Sequence, residues 1–134
     1  MVSLTIGKAA RQAGVNVETI RYYERRGLVE RPPRPDRSFR QYSSEIVKKV
    51  RFIREAQELG FSLREVADLI ELRADPAANC DDVRAQAEAK RVEVKKKIHK
   101  LERMDRALQS LIADCPKQGK LADCPIISAL DQTD

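Results

Sequence analysis

The sequence contains no tryptophan, and aromatic residues make up only 4% of its 134 positions. The three tyrosines and three phenylalanines all lie at or before Phe61, so the C-terminal half has no aromatic side chain. Pockets for sizeable organic ligands are lined mainly by hydrophobic and aromatic side chains. The C-terminal half therefore offers little material for a large hydrophobic pocket.

Histidine is nearly absent as well. The single histidine, His99, falls in a predicted helix and is distant in sequence from every cysteine. No serine, cysteine or carboxylate cluster has a base at catalytic spacing, which argues against a nucleophile paired with a base. We expect that the protein is not an enzyme and that His99 has a surface or packing role.

Long apolar runs are missing: nowhere do 18 apolar residues follow one another, and Met1–Lys8 has no apolar core behind a basic start. Neither a spanning helix nor a signal peptide is predicted, so we expect a cytoplasmic protein without membrane contact. In that reducing compartment, three cysteines favour metal or redox chemistry over a disulfide framework.

The positive charge is confined to the N-terminal part. Residues 1–60 carry 13 Lys and Arg against 7 Asp and Glu, whereas residues 61–134 carry 13 against 14. Such an asymmetry predicts a polyanionic partner for the first half, most simply nucleic acid. Charge alone also allows an anionic membrane surface.

Two short helices are predicted near the N-terminus. Thr5 caps the first, Ile6–Ala13, and Asn16 caps the second, Val17–Arg26, with Gly14 in the turn between them. This is the layout of a helix-turn-helix, whose second helix enters the major groove of DNA. We expect Tyr23 to pack inward, and we assign Asn16, Glu18, Thr19, Arg21, Tyr22 and Arg25 to DNA contact.

The segment Arg31–Arg40 has three prolines and four arginines in ten residues. It predicts an exposed loop or hairpin, placed like a wing, whose cations contact phosphates. A helix from Ser43 or Ser44 to about Leu59 follows. Ser62 and Glu65 then form a predicted capping box at the start of a helix that runs to Leu72.

The stretch between Pro76 and Pro116 contains neither proline nor glycine, and it predicts one helix over Asp81–Ile112. Such a helix would be about 48 Å long. An apolar residue recurs every seven positions, which is typical of a narrow seam for one partner helix. The recurring residues are Ala87, Val94, Leu101 and Leu108, with Ile98, Met104 and Leu111 beside them.

The three cysteines flank this helix. Cys80 precedes it, whereas Cys115 and Cys124 follow it, so Cys80 and Cys115 cannot meet within one chain. They can meet in an antiparallel pair, which predicts two sites per dimer, each with Cys80 of one subunit and Cys115 and Cys124 of the other. Free cysteines are also often small buried apolar residues, and that structural interpretation stays open.

Three sequence runs resemble the MerR family of transcription regulators. They are TIGKAARQAGVNVETIRYYERRGL from Thr5, FRQYS at Phe39–Ser43, and RFIREAQELGFSLREVADLIEL at Arg51–Leu72. Cys115 lies 35 positions after Cys80, and Cys124 nine further within CPI, a spacing similar to that of mercury-responsive members. The resemblance extends from Leu4 to about Leu130.

The resemblance implies a mainly α fold, with winged helix-turn-helix domains at both ends of an antiparallel coiled coil in a homodimer. It implies a DNA-binding domain over residues 1–74, a connector at 75–80, a dimerisation helix at 81–112 and a metal-binding loop and tail at 113–134. Arg21 and Tyr22 would lie in the recognition helix, and Arg40 and Tyr42 in a wing that grips phosphates. Partners would be double-stranded operator DNA and RNA polymerase at the promoter.

The implied function is Hg(II)-dependent transcription control, with repression in the absence of metal and activation by untwisting of the DNA when metal binds. Thiolates select soft metals, and three of them leave tetrahedral zinc one ligand short, so Hg(II) is the predicted inducer, one per three-cysteine site. Alternatives are a sensor of Cd(II), Pb(II) or Zn(II), a thiol redox regulator, and an enzyme acting on organomercurials or thiols.

Overall fold

The computed structural model describes residues 4–34 and 39–131, which form a mainly helical chain. Its helices are α1 Ile6–Ala13, α2 Val17–Arg25, α3 Ser44–Glu58, α4 Leu63–Ala74, α5 Cys80–Asp114 and α6 Pro125–Leu130, with a 3-10 turn at Leu121–Asp123. Within the described residues, β-structure is limited to one antiparallel bridge between Leu4 and Tyr42. The mainly α fold class predicted from the sequence is confirmed.

Four helices begin at the side-chain caps that the sequence predicted. Each cap oxygen accepts a hydrogen bond from a first-turn backbone N–H, a contact worth about 1 kcal/mol. At α4 the capping box is complete, because Glu65 Oε1 also accepts from the Ser62 N–H at 2.8 Å. The caps are Thr5, Asn16, Ser43 and Ser62, paired with the N–H groups of Lys8, Thr19, Ile46 and Glu65.

The turn between α1 and α2 depends on a glycine in the left-handed region. Gly14 has φ of 73°, and its N–H donates to the carbonyls of Ala10 and Arg11 at the end of α1. A Cβ atom there would lie 3.2 Å from Arg54 Nη1, besides the conformational strain. The tight reversal confirms the predicted helix-turn-helix.

The core of the N-terminal part joins α2, α3 and α4. Ile20, Ile53 and Val66, one from each of these helices, are fully buried. Each such aliphatic side chain contributes about 1.5–3 kcal/mol by leaving water. Tyr23 is buried and Tyr22 is 42% exposed, so the inward orientation predicted for Tyr23 is confirmed.

The chain divides into two compact units, Met1–Gln86 and Ala87–Asp134, and the boundary falls inside α5. In the second unit, α6 packs against the 3-10 turn Leu121–Asp123. Helix α5 has 35 residues and extends the predicted helix at both ends, from Asp81 back to Cys80 and from Ile112 on to Asp114. It ends before Cys115 because the residue preceding a proline, here Pro116, disfavours helical geometry.

One face of α5 is apolar and exposed in the single chain. The residues of the predicted seven-residue repeat lie on it: Val94 is 37%, Leu101 61% and Leu108 53% exposed. Ile98 and Met104 are each about half exposed beside them.

None of the helices in the described ranges is both long enough and apolar enough to cross a bilayer.

Candidate DNA-binding surface and cysteine positions

Helix α2 presents the side chains that the sequence analysis assigned to DNA contact. Glu18, Arg21 and Arg25 are exposed, and Arg21 Nη1 lies 3.1 Å from Glu18 Oε1. Both partners of this ion pair are more than half exposed, so it is worth about 0.2–1 kcal/mol at most. The guanidinium of Arg21 can therefore exchange Glu18 for a phosphate or a base edge at small cost.

Asn16 and Thr19 are engaged with each other at the start of α2. Asn16 Oδ1 accepts from both the backbone N–H and the hydroxyl of Thr19, each at 2.8 Å. The side-chain oxygen of Asn16 therefore caps the N-terminus of α2. A DNA contact by either residue remains a prediction.

Tyr22 and Arg25 form an exposed pair on α2. The Arg25 guanidinium carbon lies 5.9 Å from the centroid of the Tyr22 ring, within range of a cation–π contact. At a solvent-exposed site such a contact is worth about 0.5–1 kcal/mol. It orients the Arg25 guanidinium along the helix surface.

Five guanidinium groups line one open cleft of about 500 Å³ beside α2. Two come from α2 and three from the segment between α2 and α3, a set we call the arginine cleft: Arg21, Arg25, Arg31, Arg34 and Arg40. So many cations around one opening attract phosphate oxygens. Sequence reasoning identified the basic segment but did not single out Arg31 and Arg34. Residues 35–38, which include Arg37, lie outside the described part of this predicted wing.

Arg40 is half-buried, and its Nε atom is inaccessible to solvent without a hydrogen-bond partner in the described part of the chain. A buried donor without an acceptor costs about 1–3 kcal/mol. An anion entering the arginine cleft could supply the missing acceptor. The prediction that Arg40 contacts phosphate is compatible with this arrangement.

Tyr42 differs from the other predicted DNA contacts because its ring is only 2% exposed. Its hydroxyl donates to Glu24 Oε2 at 3.0 Å, and its backbone exchanges two hydrogen bonds with Leu4. Burial, followed by the hydrogen bond to Glu24, raises the pKa of Tyr42 to about 12. A direct phosphate contact by this residue stays a prediction, and the burial of its ring does not favour it.

A second buried tyrosine, Tyr23, is held by another helix. Its hydroxyl donates to Gln57 Oε1 at 2.6 Å, which joins α2 to α3. Burial raises the pKa of Tyr23, while the nearby Arg54 guanidinium opposes that effect. Tyr23 therefore fixes α2 against α3.

The three cysteines occupy the ends of helices. Cys80 is the first residue of α5, Cys115 directly follows its last residue, and Cys124 immediately precedes α6, whose first residue is Pro125. All three thiols are free. Cys80 is exposed, and the other two are half-buried.

Two hydrogen bonds of Asn79 close the first turn of α5. The Asn79 N–H donates to Asp82 Oδ2 and the Asp81 N–H donates to Asn79 Oδ1, each at 2.9 Å. These bonds satisfy groups that a helix start otherwise leaves unpaired. They hold Cys80 at a defined position on the first turn.

The length of α5 decides which cysteines of one chain can share a ligand. A helix of 35 residues is about 52 Å long, so Cys80 and Cys115 are far beyond the reach of a single ion. Over the described ranges, 4–34 and 39–131, no group of three or more His, Cys, Asp or Glu side chains could hold a metal. A three-thiolate site completed by the cysteines of a second chain remains a prediction.

Two family models match the sequence. "MerR HTH family regulatory protein" matches residues 4–72, and "MerR, DNA binding" matches residues 47–111. Together they cover the helix-turn-helix, the arginine cleft and almost all of α5.

Characterised relatives match over nearly the whole chain. The mercuric resistance operon regulatory protein of Serratia marcescens is 44% identical over 96% of this chain and 88% of its own length. A second relative is MerR from Bacillus megaterium MB1, whose crystal structure was determined in complex with mercury(II). Its sequence is 37% identical to this chain, and the two structures align with a TM-score of 0.69. The alignment covers 95% of this chain and 98% of that chain.

A lead-bound regulator is also similar in structure. PbrR691 from Ralstonia metallidurans CH34, crystallised in complex with lead(II), is 30% identical with a TM-score of 0.80. The match covers 95% of this chain and 98% of that chain. Both similar structures contain a soft heavy-metal ion.

Proposed function

Because the chain belongs to the MerR family of DNA-binding transcription regulators, we propose that it controls a mercury-resistance operon in response to Hg(II). Without metal it represses from an operator within the promoter. With Hg(II) bound by three thiolates across a homodimer, it activates RNA polymerase by untwisting the DNA. The position of the three cysteines at the ends of α5 and before α6 carries this proposal.

The donor set fits a soft ion. Cys80, Cys115 and Cys124 are free thiols, and sulfur ligands favour soft metals over Mg²⁺ and Ca²⁺. A structural zinc site usually has four ligands. Three sulfurs therefore suit Hg(II) better than Zn(II). When bound, the ion links side chains of two subunits.

The second subunit is supplied by pairing through α5. Its exposed apolar face has the seven-residue spacing of a two-helix coiled coil, and burial of that face stabilises a dimer. An antiparallel arrangement brings the Cys80 end of one helix beside the Cys115 end of the other. Each dimer then has two equivalent sites.

Coupling between metal and DNA needs different metal affinities in two conformations. A dimer that binds Hg(II) a hundredfold more tightly in its DNA-untwisting conformation gains about 2.7 kcal/mol towards that conformation. Because each site spans both subunits, metal binding acts directly on their relative orientation. The DNA-binding helices α2 then transmit that change to the promoter.

The subunit-bridging site is tested by complementation between two inactive chains. We expect neither Cys80→Ala nor the double variant Cys115→Ala/Cys124→Ala to form a complete site alone. A heterodimer of the two contains one intact set, with Cys80 from one chain. Titration with Hg(II), followed by thiolate-to-metal ultraviolet absorption, should give one tight site in the heterodimer and two in the wild type.

The matched control is the single variant Ser110→Ala, which changes an exposed residue of α5 and leaves all three cysteines in place. Its homodimer should retain both sites. A heterodimer without any tight site would contradict ligands shared between subunits. Activation by peroxide without metal would instead favour the thiol redox regulator.

A sensor of another heavy metal is the second candidate, since the similar regulator PbrR691 was crystallised with lead(II). Transcription from the operator-containing promoter, measured in vitro with Hg(II), Pb(II), Cd(II) and Zn(II) in turn, separates the two. We expect activation at the lowest concentration with Hg(II). Stronger activation by Pb(II) or Cd(II) would replace mercury as the inducer and leave the three-thiolate geometry intact.

A further inference from the structure

Glu24 is the one acidic side chain among the described residues that line the arginine cleft. A carboxylate on a surface that binds phosphates weakens binding, because like charges repel and each neutralised guanidinium attracts DNA less. Its presence among the lining residues therefore indicates a second, compensating effect. The contacts of Glu24 indicate what that effect is.

The carboxylate of Glu24 joins two parts of the cleft that lie far apart in sequence. Glu24 Oε2 accepts a hydrogen bond of 3.0 Å from the hydroxyl of Tyr42, 18 residues away. Hydrogen bonds to a charged partner are stronger than those between neutral groups. The bond therefore connects α2 to the segment that carries the remaining cleft arginines.

Tyr42 is itself held firmly on its other side. Its N–H donates to the Leu4 carbonyl at 2.7 Å, and its carbonyl accepts from the Leu4 N–H at 3.0 Å. Its ring is buried at 2% exposure, and it belongs to the same hydrophobic core as Ile20 of α2. The buried ring, the two backbone hydrogen bonds to Leu4 and the hydroxyl bond to Glu24 together hold Tyr42 in a fixed position.

Arg40 lies two residues before Tyr42 and depends on that fixed point. In extended chain, two residues span only about 7 Å, so the position of Tyr42 restricts where Arg40 can lie. The Arg40 Nε atom is inaccessible to solvent and has no acceptor in the described ranges, 4–34 and 39–131. The bond between Tyr42 and Glu24 adds to this restraint, and its loss would loosen the position of the Arg40 guanidinium.

We propose that Glu24 is a positioning residue with two opposed effects on DNA binding: its hydrogen bond to Tyr42 places Arg40 in the arginine cleft, and its charge limits phosphate affinity. The two effects belong to different properties of one side chain, acceptor capacity and charge. This inference rests on the DNA-binding part of the proposed function and is independent of the metal. It assigns Tyr42 to positioning and leaves phosphate contact to the arginines.

Two conservative substitutions separate the effects. Glu24→Gln removes the charge and keeps an oxygen that can accept from Tyr42, whereas Tyr42→Phe removes the hydrogen bond and keeps the charge. The probe is a random-sequence 30-base-pair duplex, so that phosphate contacts dominate. Dissociation constants are measured by fluorescence anisotropy of the labelled duplex from 50 to 300 mM KCl.

We expect Glu24→Gln to bind the duplex about five- to tenfold more tightly at 0.1 M salt, with the slope of log K against log salt steeper by about one. Tyr42→Phe should bind about five- to tenfold more weakly, as Arg40 loses its fixed place. Melting temperatures measured on the same samples report fold stability separately. A purely structural role would move the melting temperature without changing the salt slope.

Each variant has a matched control. Glu58→Gln removes one exposed carboxylate at the end of α3, outside the cleft, and should change affinity less than twofold. Tyr23→Phe removes an equivalent buried tyrosine hydroxyl, the one that donates to Gln57, and should lower stability without a comparable loss of DNA affinity.

Equal weakening by Glu24→Gln and Tyr42→Phe would overturn the inference, since charge would then have no separate effect. So would an unchanged affinity in Glu24→Gln. A wild-type protein that fails to bind the duplex would instead overturn the DNA-binding function itself and, with it, this inference. Tighter binding in Glu24→Gln beside weaker binding in Tyr42→Phe supports it.

Discussion

The two compact units of the chain bury their apolar residues in different ways. In Met1–Gln86, side chains from Leu4 to Leu69 form a core that the single chain completes. In the described part of Ala87–Asp134, apolar side chains such as Leu101 and Leu108 stay more than half exposed. The first unit therefore buries its apolar residues against one another, whereas the described part of the second exposes an apolar helix face.

The largest effect should come from a cavity in the self-contained unit. Ile53→Ala removes a fully buried side chain of α3, and we expect it to lower the free energy of unfolding by about 2–5 kcal/mol. Urea denaturation at fixed protein concentration measures this change. As a control, Leu59→Ala truncates a 69% exposed side chain and should cost well below 1 kcal/mol. Equal costs at the two positions would remove the distinction between buried and exposed apolar residues in this unit.

A charge on the apolar face of α5 should weaken the proposed dimer without destabilising the first unit. Leu101→Asp would bury one carboxylate per chain in the proposed dimer, and we expect the dimer dissociation constant to rise at least about a hundredfold. Sedimentation velocity over a concentration series measures it. Ser110→Asp, on the same helix but outside the seven-residue repeat, should leave the dimer intact. A fully dimeric Leu101→Asp protein would exclude this face as the interface.

A smaller effect tests a purely local contact. Ser62→Ala removes the cap oxygen of α4 and half of its capping box, and we expect a loss of about 1 kcal/mol in stability. Differential scanning calorimetry would show the lower melting temperature. The dimer dissociation constant should stay unchanged, because the cap belongs to the first unit. A large increase in that constant would mean that the stability of the first unit affects dimerisation.

The last effect is confined to alkaline pH. The folded-state pKa of Tyr42 is raised to about 12 from its ordinary value of 10, so the contribution of the neutral phenol is fully present below pH 10 and is lost as pH rises to 12. We expect wild-type stability to fall more steeply over this interval than that of Tyr42→Phe. Urea denaturation at pH 9, 10 and 11 provides the comparison, and parallel profiles would contradict it.

Local features of the fold were predictable because their causes are close in sequence. Thr5, Asn16 and Ser62 each meet their capped N–H three residues later, so the sequence alone identified these helix starts. The end of α5 could be bounded by Pro116 in the same way, to within a turn.

Contacts across the fold were not predictable in this way. The bond between Glu24 and Tyr42 spans 18 residues and depends on how α2 packs, so nothing in the sequence indicated it. Arg31 and Arg34 were seen only as part of a basic segment, since their approach to α2 requires the tertiary structure. The shared site of the cysteines needs a second chain and stays a prediction.

The length of α5 has a consequence for which subunits could share a metal site in the proposed dimer. In the proposed antiparallel pair, a seven-residue insertion in both helices preserves the apolar repeat and still lets their ends coincide. A mixed pair with one insertion is offset by about 10 Å at one end, so at least one thiol set fails to assemble. In the proposed dimer, helix length would thus restrict complete metal sites to pairs of subunits with equal α5 length.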